Sequence, residues 1–257
     1  MKMIELPSKP IKPEQVNPKR LILFGNPKSG KSESLSRLEN NLILDLESGS
    51  GFITGLKIDV LKIASDNEIT PISALKLVIN KIKEGNQQNK GFLYKYITVD
   101  TVSMLEEKYA LELALKLYLN TTVGRNFQGT DVRTLPNGAG WQYLKDAVQI
   151  VLDELETLCE TLIVSGHTKE KLYEKDGKEG SARCLDLAGK LPAILCAKAD
   201  AIAFIYRKGN QTIANFKSSE DLIVGARPEH LKNQEIVLLE SDENGKFTSH
   251  WSKIFIE

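Results

Sequence analysis

The sequence predicts an α/β fold, a mainly parallel sheet flanked by helices, on three observations. Short apolar runs alternate with longer segments whose apolar residues recur at helical spacing, the pattern of strand–helix–strand crossovers. A glycine- and lysine-containing segment joins the first apolar run to the first helix, as in phosphate-binding loops. Segments 211–216, 235–240 and 247–256 lack helical spacing, which predicts antiparallel edge strands in a hairpin extension from about 209 to 257.

The predicted elements follow a proline- and lysine-rich N-terminal arm. Five of the nine prolines lie within the first 27 residues, so we expect an extended arm over residues 1–18 and one domain over 19–257. Apolar runs bounded by turn residues predict strands at 21–25, 42–47, 61–64, 96–101, 161–167 and 201–207. Helical periodicity predicts helices at 30–39, 73–85, 103–119, 141–157 and 188–198. The polar interruptions 120–140 and 168–183 are predicted exposed loops, and their length makes them candidates for function.

The composition indicates a folded protein with no global preference for a charged partner. The 257 residues include 34 Lys+Arg and 34 Asp+Glu, so any contact with a polyanion must come from a local patch. The three cysteines, Cys159, Cys184 and Cys196, form no CxxC pair, which disfavours a disulfide framework or a zinc site. No signal-peptide pattern or membrane-length apolar run is found, and we expect a cytoplasmic protein with no membrane partner.

The segment Gly25–Ser32, GNPKSGKS, matches the phosphate-binding pattern G-x-x-x-x-G-K-[ST]. It follows an apolar strand and opens a helix, where backbone N–H groups and the helix dipole can hold a triphosphate. Lys31 is expected to neutralise the β- and γ-phosphates, and the Ser32 hydroxyl to bind Mg²⁺. The predicted nucleotide contacts are Gly25, Asn26, Pro27, Lys28, Ser29, Gly30, Lys31, Ser32 and Glu33.

Polar side chains end three other predicted strands. Asp100 closes YITVD and is the expected second Mg²⁺ ligand, with a helix cap as the alternative. Glu47 ends LILDLE, on the same strand face as Asp45, and is a candidate general base for the attacking water. His167 ends TLIVSGH and is expected to sense the γ-phosphate, unless it is an ordinary loop histidine.

The order of these motifs resembles the RecA-like P-loop ATPases of bacteriophages, the Sak-four family of single-strand annealing and recombination proteins. The matching segments, within residues 20–235, are LILFGNPKSGKS, LILDLESGSGF, YITVDTVSMLEEKY, GAGWQYLKDAV, TLIVSGHTKEK, LPAILCAKADAIAFIYRKG and GARPEHLKN. The resemblance implies a RecA-like P-loop NTPase core with ATP and Mg²⁺ as cofactors, and with Glu47 as the catalytic glutamate. His167 stands where RecA proteins carry a glutamine that couples nucleotide state to DNA binding, and it departs from that pattern.

The resemblance also places the two DNA-binding loops at 120–140 and 168–183. Cationic side chains that follow phosphates and rings that stack on bases are the usual elements of single-strand binding. The candidate DNA contacts are Arg125, Phe127, Arg133, Lys169 and Lys171. The alternatives are that 168–183 is a solvated hairpin of mixed charge, and that Trp141 and Tyr143 are core residues of a helix.

Two cations at the end of AIAFIYRK, Arg207 and Lys208, resemble residues that RecA-like ATPases extend to a neighbouring subunit's γ-phosphate. A cation supplied by a neighbour makes hydrolysis depend on assembly. An exposed strand-end pair is the alternative, and Arg227 is a second candidate for the same role.

These features predict an ATP hydrolase of phage type that assembles on single-stranded DNA, as a filament or a ring, in the host cytoplasm. Its expected activity is DNA-stimulated and serves recombination or annealing, with a single-strand-binding protein as a possible partner. One alternative is a nucleotide-switched oligomeric regulatory or loader ATPase that acts on a protein without DNA. A small-molecule kinase is disfavoured, because no arginine-rich lid is found in the sequence.

Overall fold

The predicted fold class is confirmed: a mainly parallel sheet lies between layers of helices, and antiparallel strands extend one side. The computed structural model describes residues 6, 8–175 and 178–257. The strands of the main sheet are β1 (Arg20–Phe24), β2 (Asn41–Asp45), β3 (Lys57–Asp59), β4 (Tyr96–Asp100), β5 (Thr161–Gly166), β8 (Ala201–Lys208), β9 (Gln211–Asn215), β10 (Gly225–Ala226), β11 (Glu235–Ser241) and β12 (Phe247–Ser249). A separate hairpin is formed by β6 (Thr168–Lys175) and β7 (Lys178–Leu185).

The strand order determines which loops meet. The main sheet runs β12-β11-β9-β8-β1-β5-β4-β2-β3, and β10 pairs with β8. The six strands from β8 to β3 are parallel, so the carboxyl ends of β1, β2, β4 and β5 lie along one edge. Ligands of open parallel sheets bind at that edge.

Helices cover both faces of the sheet. They are α1 (Lys31–Ser36), α2 (Val60–Asp66), α3 (Pro71–Asn89), α4 (Val102–Met104), α5 (Ala110–Leu119), α6 (Gly140–Glu156) and α7 (Leu191–Lys198). In β1, Ile22 and Phe24 pack in the core beneath α3 and α6, whereas Leu21 and Leu23 pack with Leu35 on the α1 side. Both faces of the central strand are therefore buried, as its continuous apolar run predicts.

The C-terminal strands extend the main sheet rather than forming a separate layer. β9 pairs antiparallel with β8, and β11 and β12 continue the sheet. The predicted strand 247–256 is wrong beyond Ser249, because the chain turns through Trp251–Lys253. The Trp251 indole N–H donates to the Ser34 carbonyl of α1 at 2.8 Å, so this turn holds the helix that follows the phosphate-binding loop.

Two other predicted segments differ in the structure. The strand predicted at 61–64 is wrong: these residues lie in α2, which begins after Asp59 because the Asp59 carboxylate accepts the Lys62 N–H at 2.9 Å. The strand of this region is the shorter β3. The predicted loop 168–183 is instead the antiparallel hairpin β6–β7, as the alternative reading of that segment proposed.

Several helix bounds also differ from the prediction. The helix predicted at 30–39 ends at Ser36, and the one predicted at 73–85 continues through Gly85 to a left-handed residue, Lys90. Between α4 and α5 the chain makes one π-helical turn over Leu105–Tyr109. Segment 120–140 contains three short 3₁₀ turns, and α7 begins at Leu191 rather than 188.

The described part of the N-terminal arm, residues 6 and 8–18, contains no helix or strand, and the rest of the arm lies outside the described residues. The last residues of the arm are hydrogen-bonded to the C-terminal residues of the chain. The Asn17 side chain donates to the Ile256 carbonyl at 2.6 Å and accepts the Ile256 N–H at 2.9 Å.

Candidate active site

The phosphate-binding loop needs glycine at two positions. It leaves β1 at Gly25 and enters α1 at Lys31. A Cβ atom on Gly25 would lie 2.3 Å from the Ile205 carbonyl oxygen of β8. Gly30 has a φ of +93°, and a Cβ there would lie 2.6 Å from the Thr212 hydroxyl oxygen of β9. The loop therefore passes closely beside β8 and β9.

Lys31 is buried inside this loop. Its ammonium donates to the carbonyl oxygens of Gly25 and Asn26, at 2.9 and 3.0 Å. Desolvation lowers the pKa of Lys31, against the opposing charges of Asp100 and Glu47. The loop thus directs a partly desolvated cation towards the space that its own N–H groups enclose, where an anion gains most from it.

Ser32 and Asp100 meet where the Mg²⁺ site is predicted. The Ser32 hydroxyl donates to Asp100 Oδ2 at 2.7 Å. The other carboxylate oxygen, Oδ1, is buried without a hydrogen-bond partner of good geometry among the described residues. Burial raises the pKa of Asp100, and the hydroxyls of Ser32 and Ser165 oppose that rise. These oxygens fit Mg²⁺, which takes one or two protein ligands plus phosphate and water, and a cation there would relieve the buried carboxylate.

Glu47 lies beside this pair with its carboxylate accessible. The side chain is 33% exposed, and its Oε1 accepts the Thr101 hydroxyl at 2.5 Å and lies 3.2 Å from His167 Nε2. The hydrogen bond from His167 lowers the pKa of Glu47, with a smaller contribution from Thr101. The carboxylate is therefore ionised at neutral pH, as a general base must be.

His167 connects this carboxylate to the hairpin. It lies between β5 and β6, and the Glu47 carboxylate raises its pKa. The other ring nitrogen, Nδ1, is buried without a partner among the described residues. A change at Glu47 can thus reach the residue next to the hairpin through one side chain.

Asp45 positions Glu47, a role that the sequence analysis did not assign. β2 ends at Asp45, whose buried carboxylate accepts the N–H groups of Glu47, Gly49 and Ser50 at 3.0, 3.2 and 2.8 Å. Burial favours a raised pKa for Asp45, but these hydrogen bonds outweigh it and hold the pKa below its ordinary value. An aspartate two residues before the short polar run ESGSG was the available signal.

We expect Asp45→Asn to lower the free energy of unfolding by about 1–3 kcal/mol, because the amide places a donor against an N–H group. ATP turnover falls as Glu47 loses its position, while the KM for ATP is retained. The stabilisation by Asp45 is present above about pH 4, the unfolded pKa, and is lost as pH falls through the lower folded-state pKa. Urea unfolding and steady-state kinetics measure both effects. Asp66→Asn, on an exposed carboxylate of α2, is the control, and equal behaviour of the two variants would contradict the assignment.

The predicted trans-acting cations lie in different places. Arg207 is beside its own loop: its Nε would lie 3.3 Å from a Cβ atom at Gly30. Lys208 is exposed at the end of β8. Arg227 pairs with Asp200 at 3.0 Å, before the amino end of β8, and therefore lies at the opposite edge of the sheet. Of the three, the structure brings Arg207 to the phosphate-binding loop.

The other predicted nucleotide contacts surround the loop. Asn26, Pro27 and Lys28 are exposed, whereas Ser29 is buried. The Glu33 carboxylate accepts from Arg37 one turn along α1, at 2.9 and 3.1 Å. Glu33 therefore contributes to the helix through this ion pair.

The predicted DNA contacts are only partly available. Arg125 is exposed, but the Phe127 ring packs edge-on against Tyr118 at 5.3 Å between ring centres. Arg133 makes a two-point ion pair with Asp131, with contacts of 2.6 and 2.9 Å to Oδ2. This segment thus offers one free cation among the predicted residues.

In the hairpin, Lys169 donates to the Leu187 carbonyl and lies 3.8 Å from an Asp186 oxygen. Lys171 is exposed. The nearby Trp141 side chain is 41% exposed at the start of α6, so it is only partly a core residue. The structure therefore gathers the phosphate-binding residues at one point but leaves the predicted DNA contacts apart.

A family profile described as an AAA domain matches residues 17–227. The chain belongs to the AAA domain family. This AAA domain includes the phosphate-binding loop, Glu47, Asp100 and His167, and it is a P-loop ATPase domain. The family implies nucleotide use, usually with Mg²⁺.

The AAA domain is also similar to solved structures. One is the RadB recombinase, with 12% identity and a TM-score of 0.41 over 91% of this chain and 92% of that one. Another is a KaiC-like protein from Pyrococcus horikoshii OT3, with 10% identity and a TM-score of 0.41 over 90% of this chain and 89% of that one. At these values neither likeness informs the activity. No protein of curated function matches the sequence significantly.

No helix in the described ranges is both long and apolar enough to span a membrane.

Proposed function

We propose that this AAA domain is a Mg²⁺-dependent ATP hydrolase of the Sak-four type, which binds single-stranded DNA in its ATP-bound state and serves recombination or annealing. The observation that carries the proposal is the 3.2 Å contact between Glu47 Oε1 and His167 Nε2. It joins the predicted base of hydrolysis to the residue that immediately precedes the hairpin β6–β7. Nucleotide state can therefore be transmitted to a surface outside the ATP site.

Hydrolysis proceeds by in-line attack of water on the γ-phosphorus. Glu47 accepts a proton from the attacking water while the water oxygen bonds to the γ-phosphorus. The bond between the γ-phosphorus and the β,γ-bridging oxygen breaks, and ADP and phosphate are released. Lys31 and the N–H groups of the loop stabilise the charge that develops. Ser32 and Asp100 would hold Mg²⁺, which would supply further neutralisation of the developing charge.

DNA binding is supported by exposed cations on the hairpin and the 120–140 segment, notably Lys171 and Arg125. A chain with 34 cations and 34 acids binds a polyanion weakly as one subunit. Assembly into a filament or ring would align many copies of this weakly basic surface, and multivalent contact raises affinity without new contacts. A single-strand-binding protein remains a candidate accessory partner.

The alternative, a regulatory or loader ATPase that acts on a protein without DNA, is favoured by one observation. Two of the predicted DNA cations are already engaged, Arg133 with Asp131 and Lys169 with Asp186. The same contact between Glu47 and His167 would then switch a protein-binding surface.

The two proposals differ in the response of ATP turnover to single-stranded DNA. We expect DNA to stimulate turnover at low salt and the stimulation to fall steeply with salt. If each subunit contacts about three phosphates, a fourfold rise in salt weakens binding by about twentyfold. Lys171→Ala should reduce the stimulation and leave turnover without DNA unchanged, whereas Lys246→Ala, in the exposed β11–β12 turn, should change neither. Turnover that ignores DNA at low salt would favour the protein-directed alternative.

A further inference from the structure

A polar cleft of about 680 Å³ lies between the phosphate-binding loop and the hairpin. Asn26 of the loop lines it, together with two cations, two acids and two hydroxyl residues: Lys169, Arg183, Glu170, Asp221, Thr168 and Ser181. The Gly25 N–H donates to the Gly166 carbonyl at 3.3 Å, so the cleft adjoins the end of β5, where His167 contacts Glu47. The cleft therefore opens on the side of the loop where the attacking water and the γ-phosphate would lie.

Arg183 is held at this cleft by contacts on both its backbone and its side chain. Its N–H donates to the Asp221 carbonyl at 2.8 Å, and its carbonyl accepts the Ile223 N–H at 3.1 Å. The guanidinium lies over the Phe204 ring, 4.9 Å from the ring centre. Phe204 packs edge-on against Phe24, the residue before Gly25, at 5.6 Å. The aromatic pair thus fixes the arginine relative to the phosphate-binding loop.

Arg183 makes no direct ion pair within the described part of the chain, although the carboxylates of Glu170 and Asp221 line the same cleft. Arg20, Arg37, Arg133 and Arg227 each form an ion pair with a carboxylate. Arg183 is exposed and forms none with any described residue, although Glu170 stands opposite it in the hairpin register. Thr168, which also lines the cleft, has a buried hydroxyl oxygen without a partner in the same residues. A cation and a hydroxyl beside a phosphate-binding loop form a site for an anion.

We propose that Arg183 binds the γ-phosphate of ATP held in the loop of its own subunit, so that the hairpin β6–β7 reads nucleotide state directly. A guanidinium makes two parallel hydrogen bonds to a phosphate, and stacking on Phe204 holds its plane in place. ADP lacks the phosphate that this contact requires, so hydrolysis releases the hairpin from the loop. This inference rests on the proposed function, because it requires ATP in the phosphate-binding loop.

Nucleotide affinity tests the contact. Arg183→Ala should weaken binding of a non-hydrolysable ATP analogue about tenfold or more and change ADP affinity less than twofold. The affinity of Arg183→Lys for the ATP analogue should lie between those of Arg183→Ala and the wild type, because lysine keeps the charge but not the planar guanidinium. Lys246→Ala, which removes an exposed charge in the β11–β12 turn, should change neither affinity. If Arg183→Ala loses the same affinity for the ATP analogue and for ADP, or loses affinity for neither, the inference is overturned.

A mixing experiment tests whether Arg183 acts within its own subunit. Arg183→Ala retains an intact loop, and Lys31→Ala retains Arg183, so turnover of the mixture should equal the sum of the separate rates. A rate above that sum shows that a neighbour supplies the arginine and overturns the assignment to the same subunit. A wild-type protein that neither binds nor hydrolyses ATP would instead defeat the proposed function itself. A wild-type midpoint of thermal unfolding for Arg183→Ala excludes loss of the fold as the cause of weaker binding.

Discussion

Lys31→Ala is expected to reduce ATP turnover at least about 100-fold and to abolish ATP-dependent DNA binding. The ammonium is buried inside the loop, held by the Gly25 and Asn26 carbonyl oxygens. No other lysine in the described residues occupies this position, so the developing phosphate charge loses its principal cation. Phosphate release with ATP in excess, and DNA binding with and without ATP, measure the two effects.

The control for Lys31→Ala is Lys246→Ala, which removes the same charge from the exposed β11–β12 turn. It should retain wild-type turnover. Thermal unfolding distinguishes loss of function from loss of fold. Burial lowers the pKa of Lys31, which means that its buried charge is unfavourable, so we expect its removal to leave the fold stable. A Lys31→Ala protein that retains turnover and ATP-dependent DNA binding would contradict both the site and the proposed function.

Glu47→Gln is expected to slow hydrolysis about 100- to 1,000-fold while ATP still binds, because a positioned base contributes about that much to the rate. The amide keeps the size of the side chain and loses only the ability to take a proton from water. Single-turnover kinetics with pre-bound ATP separate this step from binding. The control is Glu39→Gln, on an exposed carboxylate beyond the end of α1. A variant that loses binding and turnover together would give Glu47 a structural role instead.

The pH dependence of turnover gives an independent test of Glu47. A base acts when deprotonated, so the rate falls on the acid side of its pKa. The hydrogen bond from His167 lowers the pKa of Glu47 and moves that limit to lower pH. His167→Ala removes the bond, and the acid limit should therefore move to higher pH. A pH profile measured with non-saturating ATP follows the pKa in the free enzyme, and an unmoved limit would contradict this coupling.

Features encoded by neighbouring residues were predictable from the sequence. The strands β1, β4 and β5 are short apolar runs, and the phosphate-binding motif must lie between a strand and a helix. Their positions could therefore be predicted from the sequence. The short apolar run 61–64 was ambiguous, because four residues fit either a strand or one helical turn, and the Asp59 cap decided for the helix. The hairpin β6–β7 was not predicted as strands, because an exposed two-stranded ribbon with charged residues on both faces lacks the apolar–polar alternation that marks a strand.

The parts of the site that sequence reasoning missed depend on contacts between distant residues. Arg183 is linked to the region of the phosphate-binding loop through Phe204, which packs beside Phe24 in the adjacent strand. The Phe127 ring was a candidate for stacking on bases, but Tyr118, from the preceding helix, already covers it. Asp45 acts through hydrogen bonds to backbone N–H groups, which leave little trace in the pattern of side chains.

The hydrogen bond between Trp251 and Ser34 gives the chain a spectroscopic reporter on the helix behind the phosphate-binding loop. The sequence has two tryptophans, and the other, Trp141, is 41% exposed at the end of the 120–140 segment. Because indole emission follows the polarity of its surroundings, the two fluorophores differ in both colour and position. Trp141→Phe leaves the emission of Trp251, which reports on α1, and Trp251→Phe leaves the emission of Trp141, which reports on the start of α6. The order in which the two sites respond within a single turnover thus becomes measurable by stopped-flow fluorescence without any attached dye.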